Sequence, residues 1–437
     1  MPIVTTLPGK NCVPGNHPLV MGPSGMHGRL EADAAIINAD VVLAVGTRFS
    51  DRTVGNFSEF RKGKKIIHID IDRSEVGKNV KPEVGIVGDA KTVLSMMIKL
   101  MPKALERRHD TFIKWLRGIK ESYEKYRSKV DTNGFVPWKV LKVLREVMPP
   151  NSITATGVGS HQMWSELHWD VYVPGTFITS AGLGTMGFGI PAALGAKIAR
   201  PDVPVLDIDG DGSFQMTMQN LALIREYNIP IIVTIFDNST LMLVRHWQVM
   251  LYNRRIIAVD FNVNPDFMKI AEAYGIEGVR PGDYEELRSA VTRAVRDNEA
   301  LIVDVTIDRE KDFVLPFVPS GKWLEEVIFP EGFKVDLRYR VMAMESDFSI
   351  EIIMSNEINQ FDAVVRAMNV IRRGKVTIRH VVIDMSDSVI KVSIRARGGE
   401  EDEVRWVCNK LDKLYDVVNV KYMPEEVHMN KMVVSNG

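Results

Sequence analysis

The chain has 437 residues, 45% of them hydrophobic, enough to bury a large core and to divide into roughly two to four domains. Its 55 Lys and Arg balance 56 Asp and Glu for a formal net charge of −1, which leaves no general basic surface for a phosphate backbone and excludes nucleic acid as the main partner. Only Cys12 and Cys408 are present, far apart and without His-rich or Cys-rich surroundings, so a disulfide framework and a thiolate zinc site are excluded and a reducing cytoplasmic setting is expected.

The opening MPIVTTLPGK lacks the basic segment and apolar core of a signal peptide. In chain order, the patterning predicts a helix over Arg29–Ile37, strands within 38–48 (NADVVLAVGTR) and over 65–72 (KIIHIDID), and a helix over Ala90–Lys99. Residues 1–105 thus read as a partial α/β domain whose strands end in ligand-competent loops. The charged, aromatic run over 107–127 has helical spacing and is expected to act as a linker within 106–137. The longest uncharged stretch, Val171–Ala196, is too rich in glycine and proline for a lipid-exposed span; it reads as buried loop and helix, and no membrane association is expected. A second α/β domain over 138–330 carries strands at 203–208, 230–236 and 301–306 and helices at 216–227 and 284–297. Residues 345–424 read as strand, helix, strand, strand, helix, strand, a ferredoxin-like βαββαβ unit. The fold class is therefore α/β: two doubly wound parallel-sheet domains, the first partial, followed by that smaller C-terminal unit.

The strongest chemical signal is Asp209-Gly210-Asp211-Gly212-Ser213 after the strand VPVLDI, with Asn238 following Asp211 by 27 positions at the end of PIIVTIFDN. Two neighbouring strand ends then offer a carboxylate, an amide oxygen and the backbone carbonyl of Thr240, a hard-oxygen set suited to Mg²⁺ that also holds phosphates. Gly210 and Gly212 let the backbone approach a phosphate, and a helix beginning near Met216 is expected to aim its N-terminus there. Alone, a DGDG quartet is ordinary turn chemistry.

Gly-Asp-Gly, about 27 residues and then Asn at a strand end resembles the diphosphate–Mg²⁺ motif of thiamine diphosphate enzymes. The chain is similar to the C-terminal part of the acetohydroxyacid synthase (acetolactate synthase) catalytic subunit. The resemblance runs from residue 2 to about 328 and is carried by GMHG at 25, VGTRFSDR at 45, HIDID at 68, GDA at 88, HQMW at 161, GLGTMGFGIPAALGAK at 182, GDGSF at 210, VRHWQ at 244 and VPSGKWLEEVI at 318.

It implies a cofactor site. Val158, Gly159, Ser160, His161, Gly210, Asp211, Gly212 and Ser213 would surround the diphosphate, with Asp211, Asn238 and Thr240 on Mg²⁺ and Leu241, Met242, Leu243 and Val244 continuing the contact. Gly184 and Met186 would lie around the two rings, Met186 holding the cofactor bent so that its 4′-amino group meets the thiazolium carbon. Trp247 would favour 2-oxobutanoate or pyruvate as the second substrate. Outside these contexts, Met186 and Trp247 would both read as core packing. The first domain resembles one in which FAD lies extended, with Gly25, Met26, His27, Gly46, Arg48, Asp51, Arg52, Asp70, Ile71, Asp89 and Ala90 as contacts: glycines clearing space, arginines facing the pyrophosphate and strand-end acids receiving ribose hydroxyls. The plainer reading of His68, Asp70 and Asp72 is a strand terminus.

The sequence departs from the pattern at several points. Met242 and Leu243 replace Gly-Met, Gly157 and Ser160 replace Asp and Gln, and the FAD loop reads Phe49-Ser50-Asp51-Arg52. The family's pyrimidine-binding domain, which carries its catalytic glutamate, is not matched, so a partner chain supplying it is expected, in a homo- or hetero-oligomer, and the chain alone is expected to be silent. The C-terminal unit resembles an ACT domain of the family's regulatory subunit; Ser355 to Asn359 lacks the usual ligand-loop glycine, leaving a branched-chain amino acid effector and a plain pairing module both open. The activity implied is condensation of two pyruvates, or pyruvate with 2-oxobutanoate, with CO₂ release. A different thiamine diphosphate lyase or decarboxylase, or a non-catalytic sensing and assembly protein, are the alternatives.

Overall fold

The computed structural model describes residues 1–100, 110–130, 134–339, 346–355, 360–373, 377–386, 389–398, 401–414 and 417–424. They divide into two compact units, Met1–Tyr339 and Arg340–Gly437.

The first unit begins with a parallel pair, β1 (Ile3–Thr5) and β2 (Val20–Pro23), and a parallel sheet in the order β3 (Val41–Val45), β4 (Lys65–Asp70), β5 (Val84–Val87). The alanine-rich helix Leu30–Ile37 buries nearly every residue, because small side chains allow close approach. The expected linker helix runs Asp110–Lys129 and packs on it through buried Ile113, Leu116 and Ile119.

A six-stranded parallel sheet follows: β6 (Ile153–Thr156), β7 (Phe177–Thr179), β8 (Val205–Gly210), β9 (Ile232–Asp237), β10 (Glu277–Val279) and β11 (Leu301–Thr306), ordered β10-β11-β9-β8-β6-β7. Alternation sends Leu206, Ile208, Ile232 and Phe236 to one face, against Leu141, Trp164 and Val291, and Val205, Val233 and Ile235 to the other, against Leu194, Phe214 and Phe267. Both faces are thus covered, as a parallel sheet requires. Among the described residues no helix is long and apolar enough to cross a membrane.

Two local expectations need correction. The helix expected over 216–227 is broken: a short helix starts at once with Asp211–Gln215, one 3₁₀ turn covers Met218–Asn220, and Leu221–Tyr227 resumes. Thr217 interrupts it, with φ −137° and a hydroxyl donated to the Gly187 carbonyl at 2.8 Å. The stretch 171–196 is not buried throughout either. Gly184 and Gly187 take positive φ, and the turn they form carries Leu183 into solvent at 96% exposure before the helix Gly189–Ala199 begins. Strands β1, β2, β5, β6, β7 and β10, of three or four residues each, are too short to give a periodic signal.

The second unit is an antiparallel sheet ordered β13-β14-β12-β15, with β12 (Ser346–Ser355), β13 (Thr377–Met385), β14 (Val389–Gly398) and β15 (Val417–Pro424). Helices Gln360–Arg373 and Glu401–Leu411 complete the βαββαβ order, and Ile350, Ile352, Ala367, Ile371, Val392, Ile394 and Val407 form its core. Four residues of the expected ligand loop, 356–359, lie outside the described residues.

Candidate functional site

The carboxyl ends of β6, β8 and β9 lie side by side, and the loops leaving them carry most of the expected site. Pairing of Thr156 with Ile208 and of Gly210 with Phe236 sets the segment 210–213 between 157–161 on one side and 237–240 on the other. Such an edge of an open parallel sheet is where ligands bind in α/β folds. The loop after β7 joins them through Ser213, whose hydroxyl accepts from Gly187 N at 2.9 Å and from Val158 N at 3.4 Å. Side chains converge on Gly212: a β-carbon there would fall 2.7 Å from Leu241 Cδ2, 3.2 Å from Phe261 and 3.5 Å from Met186 Cε. Met186, Gly212 and Leu241 therefore meet at one point.

Asp211 opens its helix and is almost wholly buried. Burial first, and then the charge of Asp237, pushes its carboxyl up to about 7, against a hydrogen bond from Asn264 that lowers it. Asn238 is buried as well, and its Oδ1 has no hydrogen-bond partner among the described residues. An orphaned amide oxygen beside a buried carboxylate is what a cation site of hard oxygens would present. The Ser239 backbone is left-handed, φ +53°, and Thr240 is fixed by its hydroxyl, which donates to Val259 O at 3.0 Å and Asp260 Oδ1 at 2.7 Å. Asp260 is in turn held by buried Arg245, which also pairs with Glu310. Among the described residues no group of three His, Cys, Asp or Glu is arranged for a metal; the donor set here is mixed.

The segment after β6 is packed tightly. His161 Nε2 lies 3.4 Å from Asp209 Oδ1, and burial lowers the imidazole to about 3, so the ring is neutral. Gly159, Gly210 and Gly157 make room for these groups; a β-carbon on Gly157 would fall 1.9 Å from Asp209 Oδ1. The acid that the resemblance expects at 157 thus has no space, and Asp209 occupies it from the adjacent strand. Asp207 is fully buried, neither of its carboxyl oxygens has a partner among the described residues, and burial beside Asp209 raises it well above the usual range, favouring the neutral acid. Gly184 and Val244 are exposed, Ser160 and Met242 buried, and Leu243 half-buried.

Trp247 lies half-buried on the helix Met242–Leu251, the Arg52 guanidinium 5.6 Å over its ring. Arg52 Nη1 also reaches Met26 Sδ at 3.0 Å, so the first block's GMHG segment touches the surroundings of Trp247. His27 is buried against Phe317, ring centroids 5.2 Å apart, and both its nitrogens lack partners among the described residues. Gly25, at φ +117°, serves the chain itself, since a β-carbon would fall 2.0 Å from Arg52 O. Gly46, at φ +59°, faces open space, and the ends of β3, β4 and β5 align Gly46, Asp70 and Asp89 along one edge. Their acids are engaged: Asp70 accepts from Asp72 N at 2.9 Å, and Asp89 caps the helix Ala90–Leu100 by accepting from Thr92 N at 2.8 Å. Ile71, Arg48 and Asp51 are exposed, and Ala90 half-buried.

The family "Thiamine pyrophosphate enzyme, C-terminal TPP binding domain" matches residues 157–305, the central domain of the same enzymes matches 1–97, and an ACT domain matches 359–420. A "probable acetolactate synthase large subunit" of Methanococcus aeolicus is 41% identical over 342 residues, 75% of this chain. Over three quarters of its length the chain is similar to acetolactate synthase large subunits. The corresponding protein of Methanocaldococcus jannaschii is 41% identical over 341 residues, and the large subunit of Lactococcus lactis 37% over 330. The chain spans 56–57% of the length of these relatives.

Sequence reasoning missed Asn264, Asp237 and Phe261. Asn264 lies 53 residues from Asp211 with no local pattern to announce it; Asp237 had a visible signal, as a second acid directly before Asn238.

Proposed function

We propose that the chain is the diphosphate-binding part of an acetolactate synthase, condensing two pyruvates, or pyruvate and 2-oxobutanoate, in branched-chain amino acid biosynthesis. The observation that carries the reading is the buried Oδ1 of Asn238, without a partner among the described residues, next to Asp211 at adjacent strand ends, in a segment that matches the thiamine pyrophosphate-binding domain family. Asp211, Asn238 and the Thr240 carbonyl would hold Mg²⁺. The backbone around Val158–His161 and Gly210–Ser213 would cradle the diphosphate, and Met186 would support the bent cofactor. Bound thiamine diphosphate would supply the electron sink for decarboxylation. Trp247, steadied by Arg52, would choose the acceptor. FAD would lie along Gly46, Asp70 and Asp89, with a structural role.

The wall against the aminopyrimidine, with its glutamate, would come from a second chain in an oligomer, and the ACT domain would pair with another copy and receive a branched-chain amino acid. Calorimetric titration of Mg²⁺ and thiamine diphosphate, in wild type and in Asp211→Ala and Asn238→Ala, tests the site. Cofactor binding that is independent of Mg²⁺, or equal in all three proteins, would overturn it. Acetolactate formation on mixing with a pyrimidine-domain protein tests the activity.

A further inference from the structure

The end of β9 carries more negative charge than one metal ligand needs. Asp237 closes the strand, and the pairing of Gly210 with Phe236 sets it beside Asp211. Two acids side by side in a largely buried place repel one another unless a donor lies between them.

That donor is Asn264, which precedes the helix Phe267–Ala273. Its Nδ2 donates to Asp211 Oδ2 at 2.9 Å and to Asp237 Oδ1 at 2.8 Å, and lies 3.3 Å from Ser239 Oγ. The other end of the amide is held too: Gln215 Nε2 donates to Asn264 Oδ1 at 3.4 Å and to the Asp211 carbonyl at 3.0 Å. Asp211 Oδ1 accepts from Gly212 N at 2.9 Å. Both oxygens of Asp211 are thereby fixed in direction, while Asn238 Oδ1 next to Asp237 remains unpartnered among the described residues.

We propose that Asn264 is a positioning residue of the cation site: one amide clamps Asp211 and Asp237 together and sets which lone pairs of Asp211 remain for the metal. Asn264 is not a ligand. It acts through Asp211, as outer-shell partners do, and Asp237 is its second anchor. The inference rests on the cofactor reading above.

Titration of the full chain with Mn²⁺, in the presence of thiamine diphosphate and followed by electron paramagnetic resonance, tests it. Asn264→Ala should weaken Mn²⁺ binding by about 10–100-fold, the range for loss of an outer-shell partner. The double variant Asn264→Ala with Asp237→Asn should recover most of that loss, because the new amide at 237 removes the repulsion and donates to Asp211. A merely structural asparagine would give no such rescue. Should Asn264→Ala unfold in a thermal melt, Asn264→Ser, which keeps one donor but cannot reach both acids, serves the same comparison. Unchanged Mn²⁺ affinity in the single variant, or no recovery in the double, would overturn the clamp. Absence of Mn²⁺ binding by wild type would instead overturn the cofactor reading and the clamp with it.

Discussion

Two rows of parallel strand ends in this protein look alike in sequence and differ in what their polar groups are doing. At the ends of β8 and β9, Asn238 Oδ1 is left without a partner among the described residues and Asp211 is held in a fixed orientation by Asn264 and Gly212. At the ends of β4 and β5, Asp70 and Asp89 already accept hydrogen bonds from their own loops. Unpaired buried oxygen is costly and persists where a ligand compensates it, whereas a capping carboxylate is stable by itself. Acid at a strand end is therefore weak grounds for a ligand until its hydrogen bonds are counted. On that count the ends of β8 and β9 are the stronger candidate for a ligand site, and the first block's edge rests chiefly on open Gly46.

The largest expected effect lies at the ends of β8 and β9. Asp211→Ala or Asn238→Ala should reduce Mg²⁺-dependent cofactor affinity by more than the ~10–100-fold that an outer-shell loss costs, read by calorimetry. Next, Trp247→Leu should lower the preference for 2-oxobutanoate over pyruvate by ~1–3 kcal/mol in a competition assay, the worth of one methyl contact in a pocket. An unaltered product ratio would leave Trp247 as packing under Arg52. On the other side, Asp89→Ala should cost about 1 kcal/mol of stability in urea unfolding, as for a lost helix cap, with a smaller loss of FAD affinity, by fluorescence quenching, than Asp211→Ala brings for thiamine diphosphate. A large loss of FAD affinity would break the contrast between the two edges.

The subtlest test concerns the seam between the blocks, where Lys10 Nζ donates to the carbonyls of Ser165 and Glu166 and Arg29 pairs with Asp170. Burial raises Glu166 from 4.5 to about 8, so the folded state prefers the neutral acid and this contribution to stability is lost as pH rises from about 4.5 to 8. Burial lowers Lys10 from 10.5 to about 7, so its contribution has the opposite sign, growing as pH rises from about 7 to 10.5. Glu166→Gln isolates the first: its stability relative to wild type should climb between pH 4.5 and 8 and then level off. A pH-independent difference would show that Glu166 ionises freely.

The spacing of Asp211 and Asn238 was readable because each sits immediately after a long apolar strand, and local hydrophobic runs place strand ends well. The C-terminal βαββαβ order was legible for the same reason, since each of its strands spans at least eight residues. The break at Thr217 and the exposed turn at Leu183 were not, because both depend on Gly187, one through its carbonyl and the other through its positive φ. The sequence by itself determined the strand-end acids and the glycines around them, which are local properties of short segments. Tertiary structure alone decided that Gly157 yields its space to Asp209 and that an asparagine 53 residues away joins Asp211 to Asp237. Contacts of that kind arise only when distant segments pack, and no pattern within one segment encodes them.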